Sequence, residues 1–178
     1  MPLLGVVVCG APLAVRAYDL VEQARRARWE VSLVSTDSAA PWLKANSDVS
    51  AHVTGFQMPQ QPRLRPDALV VCPLTFNSGN KWALGIADNR PMSLLCEALG
   101  SGVPIVAVPM VNASLWKHPA WEQHVTLLEA AGVVMLDPAT GQRGAKPVQD
   151  GTGEEISRGF DPANVLAVLA DEVAQPPR

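Results

Sequence analysis

Three short polar clusters each follow an apolar run, and their residue types suit a phosphate or another small anion. Gly10-Ala11-Pro12 closes the first run and leads into a helical pattern, where the N–H groups of a helix start can hold an anion. The turn lacks the GxGxxG spacing, and no acidic ribose-binding residue follows it, so the dinucleotide fingerprint is missing. Thr36 and Ser38 place two hydroxyls after the second run; simple N-capping explains them equally well. Thr75, Asn77 and Ser78 follow the third run and form the densest polar cluster in an otherwise apolar centre. A chain with a formal charge of −3 that binds phosphate should rely on such neutral donors.

The elements that must position these clusters are legible in the apolar spacing. Leu3 to Cys9, Val31 to Ser35, Ala68 to Cys72, Pro104 to Val108 and Val133 to Leu136 read as strands buried on both faces. Pro73 is expected to end the third. Between them, Leu13, Ala17, Leu20, Val21 and Ala24 follow helical spacing. Further helices are expected over Pro41 to Ala45, from the Thr75–Lys81 segment to about Ala87, over Met92 to Leu99 before Gly100, and over Pro119 to Ala131. The last of these should turn Trp121, Val125, Leu128 and Ala131 to one face. A minor strand at Ala51 to Val53 and a loop over Gln57 to Pro62 complete the middle of the chain. Residues 137–160, rich in Gly and polar side chains, read as a long loop or flap. Asp161-Pro162 opens a final helix with Val165, Leu166, Leu169 and Val173 inward. Alternating strands and helices predict a single α/β domain over 1–178, a doubly wound parallel sheet in three layers. Ligands in such folds bind beyond the carboxyl ends of the strands, which is where the polar clusters fall.

Composition narrows the function classes. With 178 residues, 48 % of them apolar, the chain can bury a core without disulfides or metals. Its scattered basic residues offer no field for nucleic acid. Arg25, Arg26 and Arg28 end a helix, where the dipole favours cations. Cys9, Cys72 and Cys96 are too few and too widely spaced for a zinc site or a disulfide framework, and the first two read as buried hydrophobes. The opening Met-Pro-Leu-Leu-Gly reads as a strand rather than a secretory segment, so a reducing, cytoplasmic location is expected. Gly or Pro breaks every apolar run before the length of a membrane span. His118 and His124 read as surface or interface residues. Of the five tryptophans, Trp29 and Trp42 read as packing, whereas Trp82 and Trp116 could equally line a pocket.

The segment Cys72-Pro73-Leu74-Thr75-Phe76-Asn77-Ser78, continued by Gly85-Ile86-Ala87-Asp88-Asn89, resembles a Pro-x-Ser/Thr-Ala-Asn-Thr signature followed by Gly-Ile-x-Asp-Asn. Pro109-Met110-Val111-Asn112-Ala113-Ser114-Leu115-Trp116 resembles a second motif, Pro-x-Met-Asn-x-x-Met-Trp. Both mark the homo-oligomeric flavin-containing cysteine decarboxylases, and the likeness extends from Gly5 through nearly the whole chain. The resemblance implies FMN shared between subunits of a homotrimer, or a multiple of trimers. Gly10, Ala11, Pro12, Thr36, Ser38, Thr75, Phe76, Asn77 and Ser78 would hold the cofactor. Asn77 would sit beside the flavin ring and the substrate, Asn112 would recognise the substrate carboxylate, and Met110 and Trp116 would complete the substrate site. The implied reaction is oxidative decarboxylation of a cysteine in a small molecule or peptide. Two electrons leave the carbon–sulfur unit for the flavin, and the thioaldehyde then loses carbon dioxide.

The departures bear on the chemistry. Family decarboxylases carry a histidine shortly before the Asp that opens the central strand. Here that Asp is Asp67, the matching stretch is Met58-Pro59-Gln60, and His52 lies farther upstream. Phe76 replaces a small residue and should narrow the pocket, while Val111 and Leu115 replace two methionines. No cysteine follows Cys96, so the flap cysteine that completes reduction in phosphopantothenoylcysteine decarboxylases has no counterpart, and that reaction is not expected. Two alternatives stay open: a non-catalytic FMN-binding subunit or regulator, and a flavin-modifying or other redox enzyme of a biosynthetic pathway.

Overall fold

The computed structural model describes residues 1–44 and 65–175. The strand expected at Ala51–Val53, the loop at Gln57–Pro62, and the Met58-Pro59-Gln60 stretch with His52 lie outside the described residues. Five parallel strands form one sheet in the order β2-β1-β3-β4-β5: β1 Leu3–Val8, β2 Glu30–Ser35, β3 Ala68–Leu74, β4 Ile105–Pro109 and β5 Val133–Met135. The chain leaves β1 for β2 on one side and returns to β3 on the other. That reversal opens a crevice between the carboxyl ends of β1 and β3.

Both faces of the sheet are covered, which is why its strands read as unbroken apolar runs. Leu4, Val6, Val8, Val70 and Val106 face α1 (Ala17–Arg26) and α8 (Pro162–Val173), packing on Leu20, Val21, Ala24, Val165 and Leu169. Val7, Leu69, Val71, Leu74 and Ala107 face the other way, against Trp82 of α3 (Phe76–Ala83), Met92, Leu95 and Ala98 of α4 (Arg90–Ser101), and Leu128 of α6 (Pro119–Ala130). Each such aliphatic side chain contributes about 1.5–3 kcal/mol by leaving water. Trp82 is fully buried and satisfies its indole N–H on Leu95 O at 3.0 Å. It is a core residue rather than a pocket wall.

Several boundaries differ from the sequence expectation. β3 continues past Pro73 to Leu74, because a proline still offers its carbonyl. Cys9 N donates to Pro73 O at 3.1 Å, Met110 N donates to Leu74 O at 2.8 Å, and the register shifts between Val71 and Leu74 to absorb the missing N–H. α2, the helix expected from Pro41, spans Ala40–Lys44, and α3 stops at Ala83 rather than near Ala87. Gly85, at φ +70°, lets Ile86 N bond Lys81 O (2.9 Å) and Gly85 N bond Trp82 O (3.0 Å), the paired closure of a Schellman end. α4 passes through Gly100, whose penalty inside a helix is only about 1 kcal/mol, and ends at Gly102.

Residues 137–160 are more than a loop. They contain α7 (Gly153–Gly159), and isolated bridges tie Val148 to Asn112 and Arg143 to Leu136. Arg16 Nη1 reaches Ser157 O at 2.6 Å, holding α7 against the 3-10 turn Pro12–Arg16. In α8, Asp161 caps Ala163 N at 2.9 Å as expected. Val173, however, is 43 % exposed, and its neighbour Glu172 turns inward to accept from Arg143 at 2.8 Å. Ala131 is exposed at the end of α6 rather than part of its buried face.

Candidate functional site

Beyond the carboxyl ends of β1, β3 and β4 lies a cavity of about 450 Å³. Of the residues singled out from sequence, Gly10, Ala11, Pro12, Thr75, Phe76, Asn77, Met110 and Asn112 line it. The opening turn supplies shape more than free donors. Ala11 N donates to Cys9 O at 3.0 Å, Pro12 has no N–H, and Leu13 N is engaged by the Met110 sulfur at 3.3 Å. A Cβ on Gly10 would fall 2.4 Å from Ser38 O, so glycine is what lets the 3-10 turn Asp37–Ala39 close over β1.

The donors suited to an anion cluster instead at the start of α3. Thr75 is its N-cap; its Oγ1 accepts from Ser78 N at 3.4 Å and donates to Ser78 Oγ at 3.2 Å. The N–H groups of Phe76 and Asn77 lead the helix and have no intrahelical acceptor, so they point where the dipole favours negative charge. Ser78 itself is buried behind this edge and does not line the cavity; it shares hydrogen bonds with Thr75 and the Cys9 thiol. Burial pushes the Cys9 thiol up, against the pull of those hydrogen bonds, and burial together with the neighbouring Cys9 pushes Cys72 up. Both sulfurs therefore stay protonated and act as packing.

Asn112 caps the single-turn α5 (Ala113–Trp116): its Oδ1 accepts from Leu115 N at 2.9 Å. That bond decides which way the amide faces, leaving the NH₂ group, with its two donors, for the cavity. Val148 N donates to Val111 O at 2.8 Å and brings residues 148–151 over the same opening.

The remaining candidates lie elsewhere. Thr36 Oγ1 pairs with Ser38 Oγ at 3.0 Å, and Thr36 borders a separate cavity of about 190 Å³ with Asp88, Asn89 and Arg90. Neither hydroxyl lines the larger cavity. Trp116 meets Trp121 edge to face, ring centres 5.7 Å apart, and leaves Leu115 to face the opening. His118 caps α6 through Nδ1, which accepts from Ala120 N at 3.2 Å, and His124 Nδ1 meets Asn80 Oδ1 at 2.6 Å; neither ring lines the cavity. Trp42, read from sequence as packing, and Val111 and Leu115, read only as replacements of two methionines, also line it, as do Val148 and Gly153, which arrive from segments far apart in sequence. Among the described lining residues there is no Lys, Arg or His, and Asp150 is the one carboxylate.

Comparison with known proteins follows the same outline. Residues 2–155 match the family model described as Flavoprotein. The coenzyme A biosynthesis bifunctional protein CoaBC of Mycobacterium bovis is 30 % identical over 152 residues, which is 77 % of this chain and 34 % of that protein. The chain thus spans about a third of the length of this curated relative. Among solved structures, the FMN binding protein AtHal3 superposes with a TM-score of 0.72 at 20 % identity, over 98 % of both chains. The FMN-dependent cysteine decarboxylase SpaF superposes at 0.65 with 23 % identity, over 96 % of this chain and 98 % of that one. These two likenesses establish a shared fold.

Proposed function

The chain belongs to the Flavoprotein family, and from that membership we propose that it binds FMN as a single domain and oxidatively decarboxylates a cysteine at the end of a small molecule or peptide. One observation carries the reading: Thr75, Asn77 and Asn112, from the ends of β3 and β4, meet at one cavity whose donors are neutral and whose walls are apolar. The residues present fit FMN. A cavity of about 450 Å³ lies in the ordinary range for such ligands, roughly 300–1,000 Å³. The Thr75 hydroxyl and the first N–H groups of α3 match a terminal phosphate, while Met110 and Trp42 offer surface for a flat ring. AtHal3 and SpaF, which share the fold, are by their names FMN proteins.

FMN when bound supplies the two-electron oxidation, the hard step of the reaction. The chain's own residues bind and orient. The Asn112 amide, its direction fixed by the cap on α5, donates to the substrate carboxylate. Asn77, at the second position of α3, sits beside the phosphate-binding edge and sets the cysteine against the ring. Val111, Leu115 and Val148 keep water from the reacting carbon. The substrate would lose one carbon dioxide and two hydrogens, the oxidation being the chemistry that the bound cofactor supplies.

We assign the active form as a homotrimer in the cytoplasm. Leu84 and Ile86 at the end of α3 and Leu127 on α6, helices that pack together, are 62 %, 41 % and 49 % exposed and form the apolar edge that a symmetric contact would cover. The deciding experiment is the visible spectrum of the purified protein, followed by anaerobic addition of cysteine-terminated peptides and pantothenate derivatives. Flavin that bleaches with loss of carbon dioxide supports the enzyme. Flavin that is bound but never bleaches favours the non-catalytic subunit, and absence of flavin overturns the assignment.

A further inference from the structure

Behind the cavity wall stands a support that the reaction itself does not require. Phe76 lines the cavity, and its ring lies 5.5 Å from that of Trp121 at an interplanar angle of 32°. His118 meets the same ring edge-on, also at 5.5 Å. Trp121 is 1 % exposed and enters because residue 79 has no side chain: a Cβ on Gly79 would lie 2.7 and 2.9 Å from Cζ3 and Cη2 of its indole. Gly79 is three residues beyond Phe76 on α3, so the helix that presents the wall also leaves the slot behind it.

Two local penalties meet at this contact. A glycine inside a helix is unfavourable, and the Trp121 indole N–H is buried without an acceptor. Gly79→Ala would remove the first and Trp121→Phe the second. Local rules broken together at the edge of a site point to function rather than packing alone.

We propose that Gly79 and Trp121 are positioning residues that hold Phe76 as a fixed wall, and that this wall selects cysteines whose amino-side arm is slender. This rests on the cysteine-decarboxylase reading above. A loosened Phe76 would swing aside and admit a bulky arm, whereas a held one excludes it. Differences of a few methylenes against such a wall change kcat/KM by roughly 10–200-fold.

The test uses holoprotein and three probes: N-acetyl-, N-butanoyl- and N-phenylacetylcysteine. Carbon dioxide release under air, where dioxygen takes up the two electrons, gives kcat and KM for each. Wild type should favour the butanoyl over the phenylacetyl probe. Gly79→Ala puts no atom into the cavity and favours the helix. It should raise relative use of the phenylacetyl probe about 10-fold or more through KM, with kcat on N-acetylcysteine unchanged, and Phe76→Ala should shift selectivity the same way. Trp121→Leu serves as the second route to a loosened wall. An unchanged order of preference in Gly79→Ala, Trp121→Leu and Phe76→Ala overturns the wall. Failure of every probe with every protein overturns the decarboxylase reading, and this inference with it.

Discussion

Replacing Asn112 by Asp and by Ala should separate its two duties, because each substitution keeps a different one. The side chain caps α5 through Oδ1, 2.9 Å from Leu115 N, and turns its NH₂ group to the cavity. Asp is as good an N-cap as Asn, and its charge suits a helix start, so Asn112→Asp should melt close to wild type. Asn112→Ala loses the cap, about 1 kcal/mol, which for a chain of this size lowers Tm by roughly 2–4 °C. Substrate binding should order the variants the other way. Ala forfeits a hydrogen bond to a charged carboxylate, about 1.5–3 kcal/mol, or roughly 10- to 150-fold in Kd. Asp forfeits the same bond and sets a second negative charge about 4 Å from the first, which adds about 1 kcal/mol in the water limit and about 4 kcal/mol at an effective dielectric of 20. Its loss is therefore at least about 2.5 kcal/mol, or roughly 60-fold.

Calorimetric titration of an N-acylcysteine at low salt, beside thermal melts of the three proteins, reads both orders. A carboxamide analogue of the ligand removes the charge and should bind the Asp variant nearly as well as wild type. If Asn112→Asp binds the carboxylate as tightly as Asn112→Ala or better, the amide does not face that group and the orientation drawn from the cap is wrong.

Thr75→Val should cost more flavin than Ser78→Ala, since Thr75 edges the cavity and Ser78 only braces it; equal losses on reconstitution with FMN would misplace the phosphate. The Cys9 and Cys72 thiols, held protonated by burial, keep protons that an unfolded thiol releases above its ordinary value of 9.0. Stability should be whole below that pH and fall as pH rises beyond it, by up to about 1.4 kcal/mol per unit per thiol, and Cys72→Ala should flatten the slope of urea midpoints measured between about pH 8 and pH 10. Gly85 sits at φ +70° with open space where a Cβ would go, so Gly85→Ala tests the backbone alone: about 1–2 kcal/mol, or about 2–8 °C in Tm, largely recovered by Gly85→Asn. Light scattering should give a trimer that Leu84→Glu with Leu127→Glu reduces to monomer; a wild-type monomer that still holds flavin would remove the shared site.

The sheet was legible because parallel strands buried on both faces write themselves as apolar runs, and Leu3–Val8 and Ile105–Pro109 appear within a residue or so of where those runs fall. Ends were harder wherever one residue type serves two purposes. Pro73 signals a stop yet still lends its carbonyl to Cys9, and Gly100 looks like a terminator when the left-handed turn belongs to Gly102. Over 137–160 the Gly-rich composition concealed α7, whose seven residues carry little periodicity of their own. It is fixed by Arg16, which lies 141 positions from Ser157.

The site shows the same division. The rule that ligands gather beyond strand ends pointed to Thr75, Asn77 and Asn112, and these three line one cavity because each follows β3 or β4 closely. Hydroxyls alone could not be sorted by that rule. Thr36, Ser38 and Ser78 have the same chemistry at the same kind of position, and only the direction of Oγ tells a brace from a cavity wall. Phe76 stood out from the sequence as a bulky departure, but its consequence did not. A phenyl ring narrows a cavity only if it is held there, and what holds it is Trp121, 45 positions later, entering over a glycine that no local pattern links to either ring. Trp121 itself reads from sequence as an ordinary member of a helix face. Pocket shape is thus decided by residues that never touch the ligand and are paired only by the packing of α3 on α6. A substitution there can change what the site accepts while leaving every strand-end motif intact.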